Sequence, residues 1–150
     1  MVTFYTKDDQ YLKPEELTSF IYSINEDFTP RLSERVNIDA WVLKFFSVAD
    51  IIYAKDGCKI VGAIVFYAND LVGHKGYITF IGISRHYRNH GIGTELLEKS
   101  FEIMKRISIT TVGIHTNSKE ASKLYIQCGF KLIDESSDNK IVRYHLEKTL

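Results

Sequence analysis

The sequence has few cysteines and no excess of charge of either sign. Its two cysteines, Cys58 and Cys128, are too few for a disulfide framework and lack the spacing of a metal site. Lysine and arginine together number 19, as do aspartate and glutamate, so no long-range field draws the protein towards nucleic acid or an anionic membrane. An anionic cofactor would therefore need a local binding device.

Long apolar runs are also missing. No stretch approaches the roughly 20 apolar residues that a membrane-spanning helix needs, and residues 1–12, which include Lys7, Asp8 and Asp9, have no apolar run of signal-peptide length. No repeat or linker divides the chain, whose length suits one domain with a sizeable core. We therefore expect one soluble, cytoplasmic domain over residues 1–150, with neither nucleic acid nor a membrane as partner; a homodimer remains open.

The only two prolines lie in the first fifth of the chain, where the pattern is helical. Pro14 opens a predicted helix from Pro14 to Ile24, in which its missing N–H costs nothing. Pro30 lies in a predicted loop, residues 25–36, and a second helix is expected from Ile38 to Phe46.

Beyond residue 49 the apolar pattern becomes that of strands. Two runs around an Asp56-Gly57 turn predict a hairpin, and a third strand precedes an alternation of helix and strand. The expected fold is a mixed α/β sheet of about six to seven strands with about four helices, antiparallel at first and then containing a right-handed βαβ unit. The predicted strands are 50–54, 59–67, 75–83, 110–115, 131–134 and 140–146, and the later helices are 91–106 and 117–128.

The segment 81–97 (IGISRHYRNHGIGTELL) places two glycines between a predicted strand and a predicted helix. Helix N-termini carry unpaired N–H groups and a partial positive charge, so they bind phosphate groups. Gly91 and Gly93 remove side chains where a pyrophosphate would approach the backbone. The neighbours able to add charge or a hydroxyl are Arg88, His90 and Thr94.

Three other interpretations of this loop differ in the residues that they require. A dinucleotide-binding fingerprint needs a third glycine where Leu96 stands, and the string of a P-loop is absent. A tight turn before a glycine-rich helix start is the structural alternative, but two such glycines weaken a helix by about 1 kcal/mol each if they serve nothing.

Two motifs resemble the signatures of the GNAT N-acetyltransferases. Residues 88–93 (RNHGIG) are similar to R/Q-x-x-G-x-G/A, and residues 117–130 (NSKEASKLYIQCGF) are similar to N-x-x-A-x-x-x-Y-x-x-x-G-F with the helical residues shifted by one. The resemblance covers most of the chain. It implies the GNAT fold with a central, splayed parallel pair of strands, acetyl-CoA as co-substrate and no metal. A looser similarity, in residues 28–44, is to bacterial members associated with surface-polysaccharide synthesis.

The resemblance also implies where acetyl-CoA binds. The pyrophosphate would lie on the backbone N–H groups of residues 89–94, and the pantetheine arm would pair with the strand that precedes them. A backbone N–H near Ile81 would stabilise the oxyanion. Gly82 suits a bulge or a close ligand approach, or else a packing accommodation. The predicted cofactor-binding residues are Ile81, Gly82, Ile83, Arg88, Asn89, His90, Gly91, Ile92, Gly93, Thr94, Asn117 and Tyr125.

The catalytic residues implied are Tyr125 and Ile81. Tyr125 would donate a proton to the leaving thiolate, because a phenol stays protonated at neutral pH; a core aromatic is the alternative. Asn117 begins a capping-box pattern and would contact the cofactor arm, cap the helix, or do both. A covalent role for Cys128 is rejected, since no histidine is adjacent in sequence.

No general base is assigned from the sequence. The strand before the loop carries Tyr77 and Thr79 rather than the glutamate of some relatives, and Glu26, Asp27, His74 or a water chain remain as candidates.

The expected acceptor is a primary amine of a small molecule, with amino sugars among the candidates. Arg31 and Arg35 are expected either to hold an anionic group of that molecule or to be plain surface residues. A protein or peptide amine, and a non-catalytic module that binds coenzyme A, are the alternative functions.

Overall fold

The computed structural model describes residues 1–9 and 11–150. Within these residues the strands form one seven-stranded sheet in the order β1-β2-β3-β4-β5-β7-β6. The strands are β1 (Val2–Thr6), β2 (Asp50–Asp56), β3 (Lys59–Asp70), β4 (Lys75–Ile83), β5 (Thr111–Thr116), β6 (Lys131–Asp138) and β7 (Ile141–Thr149). The helices are α1 (Pro14–Ser23), α2 (Leu32–Arg35), α3 (Ile38–Val48), α4 (Ile92–Arg106) and α5 (Lys119–Gln127), with 3-10 turns at Asn25–Asp27 and Arg85–Tyr87.

Helices cover both faces of the sheet. Along β3, Ile64 and Phe66 pack in the cluster that contains the apolar side of α4, whereas Ala63 and Val65 pack in the cluster that contains α1 and α3. Successive side chains of a strand point to opposite faces, so a central strand covered on both sides must be apolar throughout. This explains the uninterrupted apolar run of β3, and it defines an α4/α5 face and an α1/α3 face of the sheet.

The only parallel contact in the described sheet, between β4 and β5, is short. Lys75–Ile78 pair with Thr111–Ile114, after which both strands continue but no longer pair with each other. On its other side, β4 has a bulge, because Val65 faces Phe80 while the next residue of β3, Phe66, faces Ile78. Thr79 is the extra residue. Two strands that separate next to a bulge leave a wedge-shaped opening in the sheet.

The bulge reverses the facing of β4. Ile78 belongs to the core on the α4/α5 face and Phe80 to the core on the α1/α3 face, although residues two apart in a regular strand share a face. The half of β4 that borders the wedge is therefore out of phase with the half that pairs with β5.

The predicted mixed sheet, antiparallel first and then with a parallel βαβ unit, is confirmed, and the structure differs locally from the sequence-based expectation in three places. Strand β1 was not predicted, since five residues beside a charged turn give a weak pattern. The loop at residues 25–36 contains a 3-10 turn and helix α2, held together by Asn25, whose side chain bonds the backbone and hydroxyl of Ser33 at 2.9 Å. The connection between the predicted strands 131–134 and 140–146 is shorter than expected, because β6 continues to Asp138 and the turn is only Asn139-Lys140, both with positive φ.

Candidate active site

The separated ends of β4 and β5 line a cleft with a volume of about 890 Å³. Three further regions complete its walls: the loop and first turn of α4, the first turns of α5, and the connection between α1 and α3. That connection, residues 24–37, is called the strap below. The wedge in the sheet is thus the floor of a cleft that reaches from the start of α4 to the strap.

The start of α4 has the geometry of an anion site. Gly91 is the N-cap residue with φ of 80°, and no side chain caps the helix, so the N–H groups of its first turn keep no side-chain acceptor among the described residues. A Cβ at Gly91 would meet open space, while one at Gly93 would meet Leu124 Cδ2 at 3.6 Å. The backbone of this turn is therefore accessible from the cleft, which favours phosphate binding.

His90 lies elsewhere than predicted. Its side chain lines a separate hollow of about 450 Å³ on the other side of the loop, with Val2 and Phe4 of β1, and does not line the cleft. The residue before it, Asn89, has φ of 63°. The left-handed conformations of Asn89 and Gly91 change the direction of the loop on both sides of His90. The sequence pattern does not indicate which way the His90 side chain then points. The other predicted loop residues, Arg88, Asn89, Gly91, Ile92, Gly93 and Thr94, line the cleft.

Arg88 lines the cleft but is already ion-paired. Its Nη2 lies 2.7 Å from Asp27 Oδ2, its Nε donates to the carbonyl oxygen of Ile83, and Arg85 Nη2 lies 2.8 Å from Asp27 Oδ1. Partial burial opposes the charge of Asp27, but the hydrogen bonds and charges of Arg85 and Arg88 outweigh it and lower the pKa of this carboxyl. The strap is thereby tied to the phosphate loop, and Asp27 is too weak a base to deprotonate an amine.

Asn117 does not cap α5. Ser118 is the N-cap residue, with its Oγ accepting from the N–H of Ala121 at 3.1 Å, whereas the Asn117 amide donates to the carbonyl oxygen of Thr29 at 3.2 Å. The N-cap is thus one residue later than the pattern predicted, and with Ala121 at the N3 position there is no capping box. Asn117 lines the cleft and connects the end of β5 to the strap, which places it where the predicted contact with a cofactor arm could occur.

On β4, Ile81, Gly82 and Ile83 all line the cleft. A Cβ at Gly82 would overlap Ile24 and lie 2.8 Å from Phe80 Cζ. Gly82 therefore leaves room for the side chains of Ile24 and Phe80, which agrees with a packing accommodation, and the bulge itself is at Thr79.

Tyr125 reaches the cleft from α5. It is 5% exposed, packs with Phe130 in the core on the α4/α5 face, and lines the cleft. Burial, and next the neighbouring Cys128, raise the pKa of its phenol far above the ordinary value, so it stays protonated at neutral pH. Since a core aromatic can also line the cleft, this position is compatible with the structural and with the catalytic interpretation of Tyr125.

Cys128 has no place in the site. Cys128 does not line the cleft. The pKa of its thiol is raised, mainly because the thiol is partly buried, and this disfavours the nucleophilic thiolate. The described residues contain no group of three or more histidine, cysteine, aspartate or glutamate side chains arranged to hold a metal ion.

Two residues that were not assigned a role meet beside the cleft. The Tyr77 hydroxyl and His115 Nδ1 lie 2.8 Å apart, and the rings of His115 and His145 stack with centroids 4.4 Å apart. His115 lines the cleft, whereas Glu26 and His74, two earlier candidates for a base, do not. Strand register would have revealed this pair, since Tyr77 pairs with Gly113 and His115 is two residues further on the same face.

Comparisons with known proteins agree with this architecture. The model of the acetyltransferase (GNAT) family matches residues 12–130. Over 94 residues, 60% of this chain, the sequence is 33% identical to N-alpha-acetyltransferase 30 of Homo sapiens, and the match covers 25% of that protein's length.

Two solved structures share the fold. An acetyltransferase of the GNAT family from Desulfovibrio desulfuricans superimposes with a TM-score of 0.81 at 14% identity, covering 99% of both chains. A GNAT family acetyltransferase from Elizabethkingia anophelis, with acetyl-CoA bound, superimposes with a TM-score of 0.71 at 19% identity, covering 99% of this chain and 98% of that one. These matches confirm the predicted GNAT fold. Since the family model spans well over half of the sequence, the chain belongs to the acetyltransferase (GNAT) family.

Proposed function

We propose that this protein is an N-acetyltransferase that moves an acetyl group from acetyl-CoA directly to a primary amine of a small molecule. The observation that carries the proposal is the uncapped, glycine-initiated start of α4 opening on the same cleft as the separated β4 and β5. A diphosphate suits the first feature, and an extended amide-bearing arm suits the second.

On the donor side, the backbone N–H groups of residues 91–94 would bind the pyrophosphate, and the pantetheine amides would pair with β4 along residues 81–83. A backbone N–H near Ile81 would stabilise the oxyanion, an effect worth roughly 3 kcal/mol in other enzymes. Tyr125, which stays protonated at neutral pH, would give its proton to the thiolate as the sulfur leaves the carbonyl carbon.

Among the described residues, the acceptor side of the cleft combines three aromatic rings with an arginine that has no acidic partner. Phe28 of the strap and Trp41 of α3 pack against Phe80 with ring centroids 6.1 and 5.9 Å apart, and all three line the cleft. Arg35 lies over Phe28 and has no acidic partner among the described residues, and burial, together with Arg143, lowers its pKa. Arrangements of this kind suit an amine with an apolar body, or the apolar face of a sugar ring, that also bears a carboxylate or phosphate.

Arg31 is not equivalent to Arg35. Its guanidinium pairs with Glu34 at 2.7 Å and with Glu26 at 3.5 Å, outside the cleft. Of the two arginines considered from the sequence, only Arg35 is therefore positioned to recognise an acceptor.

A second candidate function is acetylation of the α-amine of a peptide. The identity with the human N-alpha-acetyltransferase supports it. The strap, which is hydrogen-bonded to Arg88 on one side of the cleft and to Asn117 on the other, supports the smaller acceptor instead, because it covers part of the groove that a peptide would occupy.

A thiol-release assay with acetyl-CoA and a panel of acceptors tests the proposal. The panel contains aromatic amines with and without a carboxylate, amino sugars including those of surface polysaccharides, and short peptides with free or blocked α-amines. We expect the highest kcat/KM with a small amine that carries an anionic group. Preference for free peptide N-termini would transfer the assignment to the second candidate, and inactivity throughout, despite calorimetric binding of coenzyme A, would indicate a non-catalytic module.

A further inference from the structure

The two faces of the wedge present different chemistry. Tyr125 belongs to the core of the α4/α5 face, whereas His115 lies on the opposite face, since its neighbours Val112 and Ile114 point towards α4. His115 is also the first residue of β5 beyond the last parallel pair, Ile78 with Ile114, so it stands where the wedge begins. A proton donor and a proton acceptor thus approach the floor of one cleft from opposite sides.

We propose that His115 is the general base of the acetyl transfer, taking a proton from the acceptor ammonium at Nε2 while Tyr77 holds Nδ1. The inference rests on the proposed function. His115 lines the cleft on the side of the strap, Trp41 and Phe80, which is the acceptor side. The Tyr77 hydroxyl lies 2.8 Å from Nδ1. In the tautomer whose Nδ1–H donates to that oxygen, Nε2 is the ring nitrogen that can receive a proton.

The surroundings of His115 keep its imidazole neutral. The titratable and charged groups that face it are Tyr77 of β4, and Arg143 and His145 of β7, while Glu147 lies 3.5 Å from His145. Burial is the main cause that lowers the pKa of His115, followed by the charge of Arg143 and then by His145. Burial also raises the pKa of Tyr77, so this hydroxyl remains a neutral hydrogen-bond partner.

His115 and Tyr125 together account for every proton that moves in the reaction. His115 Nε2 takes one proton from the ammonium, and the free amine forms a C–N bond with the thioester carbon. When the C–S bond breaks, the thiolate takes a proton from Tyr125, and the second proton lost by the attacking nitrogen returns to the tyrosinate through water. The imidazolium of His115 then releases its proton to solvent, which accounts for the one proton that the overall reaction produces.

Replacing His115 tests the proposal through kinetics over a range of pH. We expect His115→Gln to lower kcat at pH 7 by about 100-fold, as loss of a general base does, with an unchanged KM for acetyl-CoA. The wild-type kcat/KM should rise with pH through a pKa below the ordinary histidine value of about 6.5, because the neutral ring is the base. This acid limb should vanish in His115→Gln, and the deficit should shrink as the pH approaches the pKa of the acceptor amine.

Two further variants separate catalysis from structure. His74→Gln alters an exposed histidine outside the cleft and should keep both kcat and the acid limb. Tyr77→Phe should lower kcat by roughly tenfold, with a displaced acid limb, since it removes only the partner that positions the ring. Thermal unfolding and acetyl-CoA calorimetry of each variant verify that it is folded.

The outcomes distinguish this inference from the proposed function. If wild-type protein transfers acetyl groups and folded His115→Gln does so equally well with the same acid limb, only the assignment of His115 is overturned. If the variant does not fold, an NMR titration of His115 in the wild-type protein must give the kinetic pKa, and a difference of more than about one unit overturns the assignment. A wild-type protein that binds acetyl-CoA but acetylates no amine overturns the function and the base together.

Discussion

The Asn117 side-chain amide donates a hydrogen bond to the carbonyl oxygen of Thr29, 3.2 Å away, and so joins the end of β5 to the strap. On the other side of the cleft, Asp27 of the same strap accepts hydrogen bonds from Arg85 and Arg88. The strap, which is proposed to contact the acceptor, is therefore hydrogen-bonded on both sides of the cleft to residues close to the proposed donor site. Changes on one side should be measurable on the other.

Asp27→Asn should strengthen donor binding. In the wild-type protein Arg88 is shared with a carboxylate, and removing that negative charge leaves the guanidinium available to a pyrophosphate. We expect the Kd for acetyl-CoA to fall by roughly two- to fivefold, the scale of a partly exposed ion pair. Calorimetry measures the change, and Glu34→Gln, which breaks the pair with Arg31 outside the cleft, serves as the control. Equal affinities for Asp27→Asn and the wild type would mean that Arg88 does not contact the donor.

Gly91→Ala should weaken acetyl-CoA binding for a reason that Gly57→Ala does not share. Both glycines have positive φ, 80° and 64°, and a Cβ at either would meet open space. Each alanine should therefore cost about 1 kcal/mol of stability through backbone strain. Only the one at Gly91 lies where a pyrophosphate would approach, and we expect at least a tenfold higher Kd there. If both variants lost affinity for acetyl-CoA to a similar extent, the loss would be due to lower stability and not to the position of Gly91.

Tyr125→Phe should separate turnover from binding. If the phenol protonates the thiolate, kcat at saturating acetyl-CoA should fall by about 100-fold while the Kd for acetyl-CoA remains nearly constant. Phenylalanine keeps the packing with Phe130, so the free energy of unfolding should change little. Undiminished kcat in this variant would reject the assignment of the acid.

Tyr53→Phe should leave activity intact and raise stability. The Tyr53 hydroxyl is buried and has no hydrogen-bond partner among the described residues, and Tyr53 does not line the cleft. A buried hydroxyl without a partner costs about 1 kcal/mol or more, so its removal should increase the free energy of unfolding by about that amount. Denaturant unfolding measures the change; a decrease would imply that an ordered water molecule satisfies this hydroxyl.

Local patterns predicted the elements of the fold better than the partners of its side chains. The period change after residue 49 and the Asp56-Gly57 turn are properties of adjacent residues, and the strands and helices they predict are present. The ion pair of Arg88 with Asp27 joins residues 61 apart, and the Tyr77–His115 bond joins residues 38 apart. Such contacts depend on sheet order and register, which one sequence does not contain. The same reason explains why Asp27 was considered as a base although two arginines neutralise it.

Family resemblance supplied what local patterns could not. It directed attention to the cleft residues of β4, the α4 loop and Tyr125, which do lie around one cavity. It did not indicate that His90 lies outside that cavity, or that Ser118 rather than Asn117 is the N-cap residue of α5. These details are set by loop dihedral angles, such as the left-handed Asn89, rather than by the identity of the motif.

The extra residue in β4 also governs which changes in chain length the protein can accept. Deleting Thr79 would make Ile78 and Phe80 adjacent, so both would keep their present faces, but β4 would lose the bulge next to which it separates from β5. One residue added or lost in the exposed turn at residues 71–74 would shift nothing beyond that turn. Insertions and deletions should therefore accumulate in the β3–β4 turn and be eliminated from the middle of β4, only a few residues away.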